Sequence, residues 1–284
     1  LHCRSYLAMA LALRLKSCGN RKGNVYLSFD MRSSLPMEFP MVSPRFGRLV
    51  YGAALQWEMD LVEKSDAAFL PLNSYREQFK KASGLEINYA PINGLARNSE
   101  FSVNFESRWQ QRKVGFSGQF AVWHDPKVLE QILRALPSMT ASLAVPSGKG
   151  LSGATINTYR YEEMPAYYDE LLALIIPGRT DLGDYFVRTQ MRINLFSTKA
   201  SEALSRGVPL IVSSVLEELA AFVRDNNCGL VFDSCANSFA LSDIECCNDK
   251  FMWERLTQNA VRVGKQFTPE AVNEYYDSVW HATH

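Results

Sequence analysis

Lys199 and Glu202 are the two residues whose types and spacing best suit chemistry on an anionic ligand. They are three positions apart, so in a helix they lie on one face. Ser197 or Thr198 can cap the start of that helix, where free N–H groups and the helix dipole favour a phosphate. The lysine adds a cation, and the glutamate can accept hydrogen bonds from the diol of a ribose or a sugar. The plainer alternative is a surface helix with an ion pair between the two side chains.

The surrounding pattern predicts the elements that position this pair. After the helix, Gly207 is a stop signal, and residues 209–212 form an apolar strand. Farther upstream, residues 113–117 read as a short strand that ends in a turn at Gly118, and residues 126–136 read as a helix. A glycine in that turn would let the backbone approach a ligand closely.

These motifs resemble the nucleotide-sugar segment of the retaining glycosyltransferases of the GT-B fold, in the large group that builds surface polysaccharides and glycoconjugates. Members often read Ser-Pro-x-Lys-x-x-Glu, then Gly-x-Pro and a buried strand. This chain reads Ser197-Thr198-Lys199-Ala200-Ser201-Glu202, then Gly207 and Pro209. The resemblance implies a donor site made of Ser117, Gly118, Gln119, Asn194, Ser197, Thr198, Lys199 and Glu202, with Trp123 and His124 as further candidates for its lining.

Two of these residues depart from the pattern of the family. Asn194 stands where many members carry a second glutamate, and Gln119 stands where an arginine is usual. An amide can hydrogen-bond a sugar hydroxyl, but it carries no charge. These departures motivate a second hypothesis, in which the chain is a weakened relative that binds a nucleotide sugar or acts as a scaffold subunit.

The resemblance also covers the first third of the chain. His2 and Arg4, and then Asp30 and Arg32 followed by Glu38, match segments of the acceptor-side domain. The resemblance implies that these residues face the cleft, and His2, Arg4, Asp30 and Arg32 are the catalytic candidates. A simpler alternative is that Asp30 and Arg32 pair with each other.

The predicted fold class is α/β, with two Rossmann-like parallel-sheet domains facing a cleft as in GT-B enzymes, and with the first domain incomplete. The length of 284 residues also favours two domains. We expect the acceptor-side part over residues 1–95, a linker over 96–111, the donor-binding domain over 112–267, and a terminal helix over 268–284 that crosses back to the first domain.

The chain begins with Leu1 rather than methionine, and its first residues already read as a strand-to-helix junction. At about 30 residues per βαβ unit, we expect roughly 80–100 further residues upstream, so the fragment is expected to be truncated and can lack activity.

Composition excludes several classes of protein. Thirty basic and thirty acidic residues give no net charge, which argues against general nucleic-acid binding. No apolar run is long enough to span a membrane. The six cysteines form no C-x-x-C pair, which favours reduced thiols over disulfides or a metal site. We therefore expect a cytoplasmic protein, free or at the inner face of the membrane, with any membrane contact made through the upstream part.

The function predicted from the resemblance is transfer of a hexose, with retention, from a nucleotide-sugar donor to a hydroxyl of a glycan or lipid-linked acceptor. The nucleotide sugar is then a substrate, and no cofactor or metal is expected, since no Asp-x-Asp signature occurs. An epimerase that cleaves the same bond would need carboxylates around the sugar, which are not found at matching positions.

Overall fold

The computed structural model describes residues 1–18, 25–97, 102–120, 124–146, 154–179, 196–240 and 248–282. Within these residues the chain divides into two compact units, one over residues 1–90 and one that begins at Pro91. Strands and helices alternate in both units, as the sequence predicts for parallel sheets flanked by helices.

The first unit is built on a parallel sheet of four strands in the order β1-β2-β3-β4. Since β1 and β2 are neighbours, the residues that follow these two strands meet at one edge of the sheet. The strands are β1 (His2–Cys3), β2 (Ser28–Asp30), β3 (Ala67–Leu70) and β4 (Asn88–Tyr89), and the helices are α1 (Tyr6–Cys18), α2 (Leu35–Val42), α3 (Pro44–Glu63) and α4 (Asn73–Ser83).

Helix α2 forms although its sequence contains two prolines. Two prolines within eight residues locally favour a loop, because proline lacks an N–H and disrupts helix interiors. Pro36 lies in the first turn, where the missing N–H costs little, and only Pro40 lies inside the helix. Ser34 precedes the helix, and its hydroxyl donates to the buried carboxylate of Glu58 in α3 at 2.9 Å. Packing of α2 against α3 thus overrides the local signal.

The second unit is built on a sheet of seven strands in the order β11-β10-β9-β8-β5-β6-β7. Every described pair is parallel except β10 with β11. The strands are β5 (Lys113–Ser117), β6 (Thr140–Ala144), β7 (Thr155–Asn157), β8 (Ala173–Ile176), β9 (Leu210–Ser213), β10 (Gly229–Asp233) and β11 (Ser238–Phe239).

Seven α-helices are described in the second unit, together with the 3₁₀ turns Tyr161–Glu163 and Lys265–Phe267. The helices are α5 (Phe105–Gln111), α6 (Pro126–Arg134), α7 (Met164–Asp169), α8 (Thr198–Ser205), α9 (Glu217–Asn226), α10 (Lys250–Gly264) and α11 (Pro269–Ala282). Helix α5 falls within residues 96–111, for which the sequence predicts a linker.

The core of the second unit explains why its strands are so apolar. Every residue of β8 and β9 is buried, as a parallel sheet covered on both faces requires. Trp253 of α10 packs with Phe116 of β5 and Leu129 of α6 in one hydrophobic cluster. Each such fully buried side chain contributes about 2 kcal/mol to folding.

Helix α8 is fixed at both ends. At its start, the Ser197 hydroxyl accepts the N–H of Lys199 at 3.3 Å, which confirms the predicted cap. At its end, Gly207 has a φ of +66°, as expected for a glycine stop. Arg97 donates to the carbonyl of Leu204 at 3.3 Å, and Arg108 donates to that of Gly207 at 2.9 Å. These cations complement the negative end of the helix dipole.

Among the described helices, none combines the length and the hydropathy that a membrane span requires.

Candidate functional site

A cavity of about 230 Å³ lies in the second unit, beside the carboxyl ends of β5 and β6. Strand β5 is where the order of the sheet reverses, since β6 and β7 lie on one side of it and β8 to β10 lie on the other. Ligands of open α/β sheets bind outside the strand ends at such a point. The described lining includes Ser117, Gly118, Tyr159, Tyr168, Lys199 and Glu202.

The Lys199 side chain runs from the start of α8 past Gly118 to His124. Its Nζ lies 2.8 Å from Nε2 of His124 and 5.4 Å from the centroid of the Phe116 ring. Gly118 has a φ of +98°, and a Cβ at this position would collide with Cε of Lys199. The glycine therefore makes room for the lysine stem.

The protonation states at this contact follow from burial. Burial lowers the pKa of Lys199 to about 8, and the neighbouring Glu202 carboxylate opposes this shift. Burial, and then the charge of Lys199, lowers the pKa of His124 to about 3, so its imidazole is neutral at pH 7. The Nδ1 atom lies 3.1 Å from the carbonyl oxygen of Pro177, which only accepts, so Nδ1 carries the proton. The lone pair of Nε2 therefore faces the lysine ammonium.

Glu202 is held by a chain of hydroxyl groups. The Tyr168 hydroxyl donates to Oε2 of Glu202 at 3.0 Å, and the Ser117 hydroxyl lies 2.9 Å from the same tyrosine oxygen. Because the tyrosine proton is used on the carboxylate, the serine is the donor in the second bond. Burial raises the pKa of Glu202, which the bond from Tyr168 and the charge of Lys199 oppose. Burial and the Glu202 charge raise the pKa of Tyr168, which keeps the phenol protonated.

Lys199 and Glu202 thus line one cavity but contact different partners. Within the described residues they form no ion pair with each other, so the plainer sequence alternative does not describe them. One side chain offers a cation, and the other offers carboxylate oxygens.

The other predicted donor residues are placed differently. Ser197 caps α8, Thr198 is exposed, and neither belongs to the described lining of the cavity. Gln119 is exposed next to Gly118 and is also outside that lining. Asn194 and Trp123 lie outside the described residues.

The four catalytic candidates meet in the first unit, at the carboxyl ends of β1 and β2. Oδ2 of the buried Asp30 lies 3.7 Å from Nε2 of His2, 3.7 Å from Nε of Arg4 and 3.8 Å from Nη1 of Arg32. The predicted pairing of Asp30 with Arg32 is therefore one of three contacts. Glu38 lies in α2, and burial raises its pKa, which a bond from Ser33 opposes.

A larger cavity, of about 500 Å³, is lined by residues of α9, β10 and β11, including Arg224, Asn227 and Asp233. None of the predicted site residues belongs to its described lining. The described lining of the smaller cavity, by contrast, includes Ser117, Gly118, Lys199 and Glu202.

Sequence reasoning missed two features of the site. Tyr168 is not among the residues that the sequence motifs single out. His124 was a candidate for the lining, but its contact with Lys199 spans 75 positions of the chain and has no local pattern.

No family model matches the sequence, and no curated protein sequence matches it. Solved structures do match. Sucrose-phosphate synthase from Thermosynechococcus elongatus is 17% identical with a TM-score of 0.67, over 99% of this chain and 73% of that chain. HepE of Anabaena in complex with UDP is 14% identical with a TM-score of 0.70, over 99% of this chain and 78% of that chain. WaaG, a glycosyltransferase involved in lipopolysaccharide biosynthesis, is 13% identical with a TM-score of 0.54, over 93% of this chain and 80% of that chain.

At such identities the likeness concerns the fold. These neighbours are GT-B glycosyltransferases, and the predicted fold class is confirmed. The retaining stereochemistry, the domain boundaries and the truncation stay predictions.

Proposed function

We propose that this chain, which has the GT-B fold, transfers a sugar from a nucleoside-diphosphate donor to a hydroxyl group of an acceptor. One observation carries the proposal: the Lys199 ammonium and the Glu202 carboxylate line one cavity at the reversal point of a parallel sheet. A neighbour with the same fold is described in complex with UDP-glucose, which supports a donor of this class.

The chemistry required is stabilisation of the diphosphate that leaves as the bond to the sugar breaks. Preorganised positive charge and backbone N–H groups do this best, because the charge develops at a fixed place. In the proposal, Lys199 and the first turn of α8 bind the diphosphate, and the Glu202 carboxylate accepts hydrogen bonds from the hydroxyls of the ribose. Thr158 and Tyr159, which line the same cavity, then face the base. No metal is included in this proposal.

On the acceptor side, we assign His2, Arg4, Asp30 and Arg32 as the candidates that handle the sugar and the attacking hydroxyl. Their mutual contacts around Asp30 support treating them as one group. Transfer with retention of configuration, a hexose as the sugar and a glycan acceptor follow from the sequence resemblance and belong to the proposal.

Binding of UDP by calorimetry, and release of UDP from a panel of UDP- and GDP-sugars, test the donor site. We expect Lys199→Ala and Glu202→Ala each to weaken UDP binding about tenfold or more, because each removes a charged partner of the ligand. Lys127→Ala is the matched control, since Lys127 is an exposed lysine at the start of α6. Unchanged affinity in both site variants contradicts the assignment.

The same assay separates the enzyme from a binding subunit. Release of UDP that depends on both residues supports the transferase. Tight binding of UDP, without hydrolysis or transfer from any donor, instead supports the weakened relative that Gln119 suggests.

A further inference from the structure

We propose that His124 is a positioning residue, which holds the Lys199 ammonium in the cavity through a neutral acceptor and leaves its full charge available to the diphosphate. This inference rests on the proposed function, because it concerns the lysine to which that function assigns the leaving group.

His124 is itself fixed from several directions. Its backbone forms a bridge with Gly178, and the next residue, Asp125, caps α6 through the N–H of Lys127 at 2.9 Å. The ring meets the Phe116 ring edge-on, with centroids 5.4 Å apart. His124 is 3% exposed, and its Nδ1 proton is donated to the carbonyl of Pro177. The position and the tautomer of the imidazole are therefore set before any ligand arrives.

Lysine needs such a partner more than arginine does. Its ammonium is a point charge on a stem with four rotatable bonds, and it has no fixed geometry of its own. A bond of 2.8 Å to Nε2, together with the space that Gly118 leaves for the stem, selects one placement. Folding therefore already orders the Lys199 side chain, so ligand binding bears less of the entropy cost of ordering it.

The neutrality of the acceptor matters as much as its position. A carboxylate at this position would hold the ammonium equally well but would cancel its charge. The groups that face Lys199 from the packed elements are His124 after β5, Tyr168 on α7 and Glu202 on α8 itself. Both the imidazole and the phenol are uncharged at pH 7, and the carboxylate is engaged with Tyr168.

Two substitutions separate positioning from a purely structural role. In His124→Asn, the side-chain amide can still donate to Pro177 but cannot reach Lys199. In His124→Gln, the longer side chain can present an oxygen to Lys199 but loses the bond to Pro177. The probes are inorganic pyrophosphate and UDP, measured by titration calorimetry. We expect about a tenfold loss of affinity for Asn and a loss within about twofold for Gln. A structural role predicts the opposite order, and that order overturns the proposal.

The pH dependence gives a readout that a structural role does not move. Pyrophosphate affinity in the wild type is expected to fall as the pH rises through about 8, where Lys199 loses its proton. Removing an acceptor of the charged form lowers the lysine pKa further, so His124→Asn shifts this fall to lower pH. His124→Glu adds an anion and shifts it to higher pH, while it weakens affinity by cancelling the charge. Identical pH profiles in all three proteins overturn the proposal.

One measurement does not depend on whether the variants fold. The ¹⁵N NMR shifts of the His124 ring in the wild type are expected to show a protonated Nδ1 and an unprotonated Nε2. The reverse tautomer excludes the bond to Lys199. If the wild type binds neither probe, the proposed function fails together with this inference. If it binds both and the variants match it, only this inference fails.

Discussion

At the scale of single residues, Tyr168 shows how one hydroxyl orients a binding group. It is fully buried, and it connects Ser117 at the end of β5 with Glu202 on α8. Without that bond, the half-buried carboxylate would have one partner fewer, and its pKa would rise further. The adjacent Tyr167 is buried too, but its hydroxyl donates to the carbonyls of Phe116 and Ser142, away from Glu202.

The two neighbouring tyrosines form a matched pair for a test. We expect Tyr168→Phe and Tyr167→Phe each to lower the free energy of unfolding by about 1 kcal/mol, since each removes buried hydrogen bonds. Only Tyr168→Phe is expected to weaken UDP binding, by about fivefold, because Glu202 loses its orientation. Chemical denaturation and calorimetry provide the two measurements. Equal effects of both substitutions on UDP affinity would show that Tyr168 has no special relation to Glu202.

At the scale of elements, α8 carries both Lys199 and Glu202, and side chains bind the backbone at both of its ends. At its start, Ser197 accepts the N–H of Lys199. At its end, Arg97 donates to the carbonyl of Leu204, and Arg108 donates to the carbonyl of Gly207 just beyond the helix. Arg108 is 2% exposed, and its guanidinium also donates to the carbonyl of Asp169 at 2.9 Å. A buried arginine with this many carbonyl partners links α5, α7 and the end of α8.

The start of α8 can be tested by exchanging its cap. Ser197→Ala is expected to cost about 1 kcal/mol of folding stability, because an N–H of the helix loses its partner. Ser197→Asp keeps a good cap, so stability is expected to recover. Its negative charge at the helix start would nevertheless repel a phosphate, and UDP affinity is expected to fall several-fold below that of the wild type. Full affinity in Ser197→Asp would mean that the diphosphate does not lie at this helix start.

At the scale of the whole molecule, two surface properties act together. The thirty positive and thirty negative side chains leave no net charge to keep molecules apart near neutral pH. Helix α1 also exposes three leucines on one face, with Leu7 at 65%, Leu11 at 59% and Leu15 at 69% exposure. An uncharged protein with an exposed apolar stripe is prone to association.

Light scattering as a function of pH tests this expectation. Association should be greatest near pH 7 and should decrease at pH 6 and pH 8.5, where the molecule carries net charge. The double substitution Leu7→Glu with Leu11→Lys leaves net charge unchanged and forms an i,i+4 pair, so only the apolar stripe is lost. We expect it to reduce association at pH 7. If the double variant associates as strongly as the wild type, the stripe is not responsible.

The sequence by itself determined the local elements and the polar residues of the candidate site. Capping residues, the glycine stop and apolar periodicity act within one or two turns, so α8 and β9 could be predicted, and Lys199 and Glu202 are at the cavity as expected. Helix α2 shows the limit of such local signals. Two prolines are a local signal for a loop, and only packing against α3 overrides it.

Tertiary structure alone decided which groups those polar residues contact. His124 is 75 positions from Lys199, and Tyr168 is 34 positions from Glu202, so no periodicity relates the members of either pair. The ion pair that the i,i+3 spacing offered as an alternative does not form. Folding partly buries both side chains, and each pairs with a polar group that the tertiary structure brings close. Spacing along a helix sets which face a residue occupies, whereas the identity of the neighbour across that face depends on how the strands are ordered.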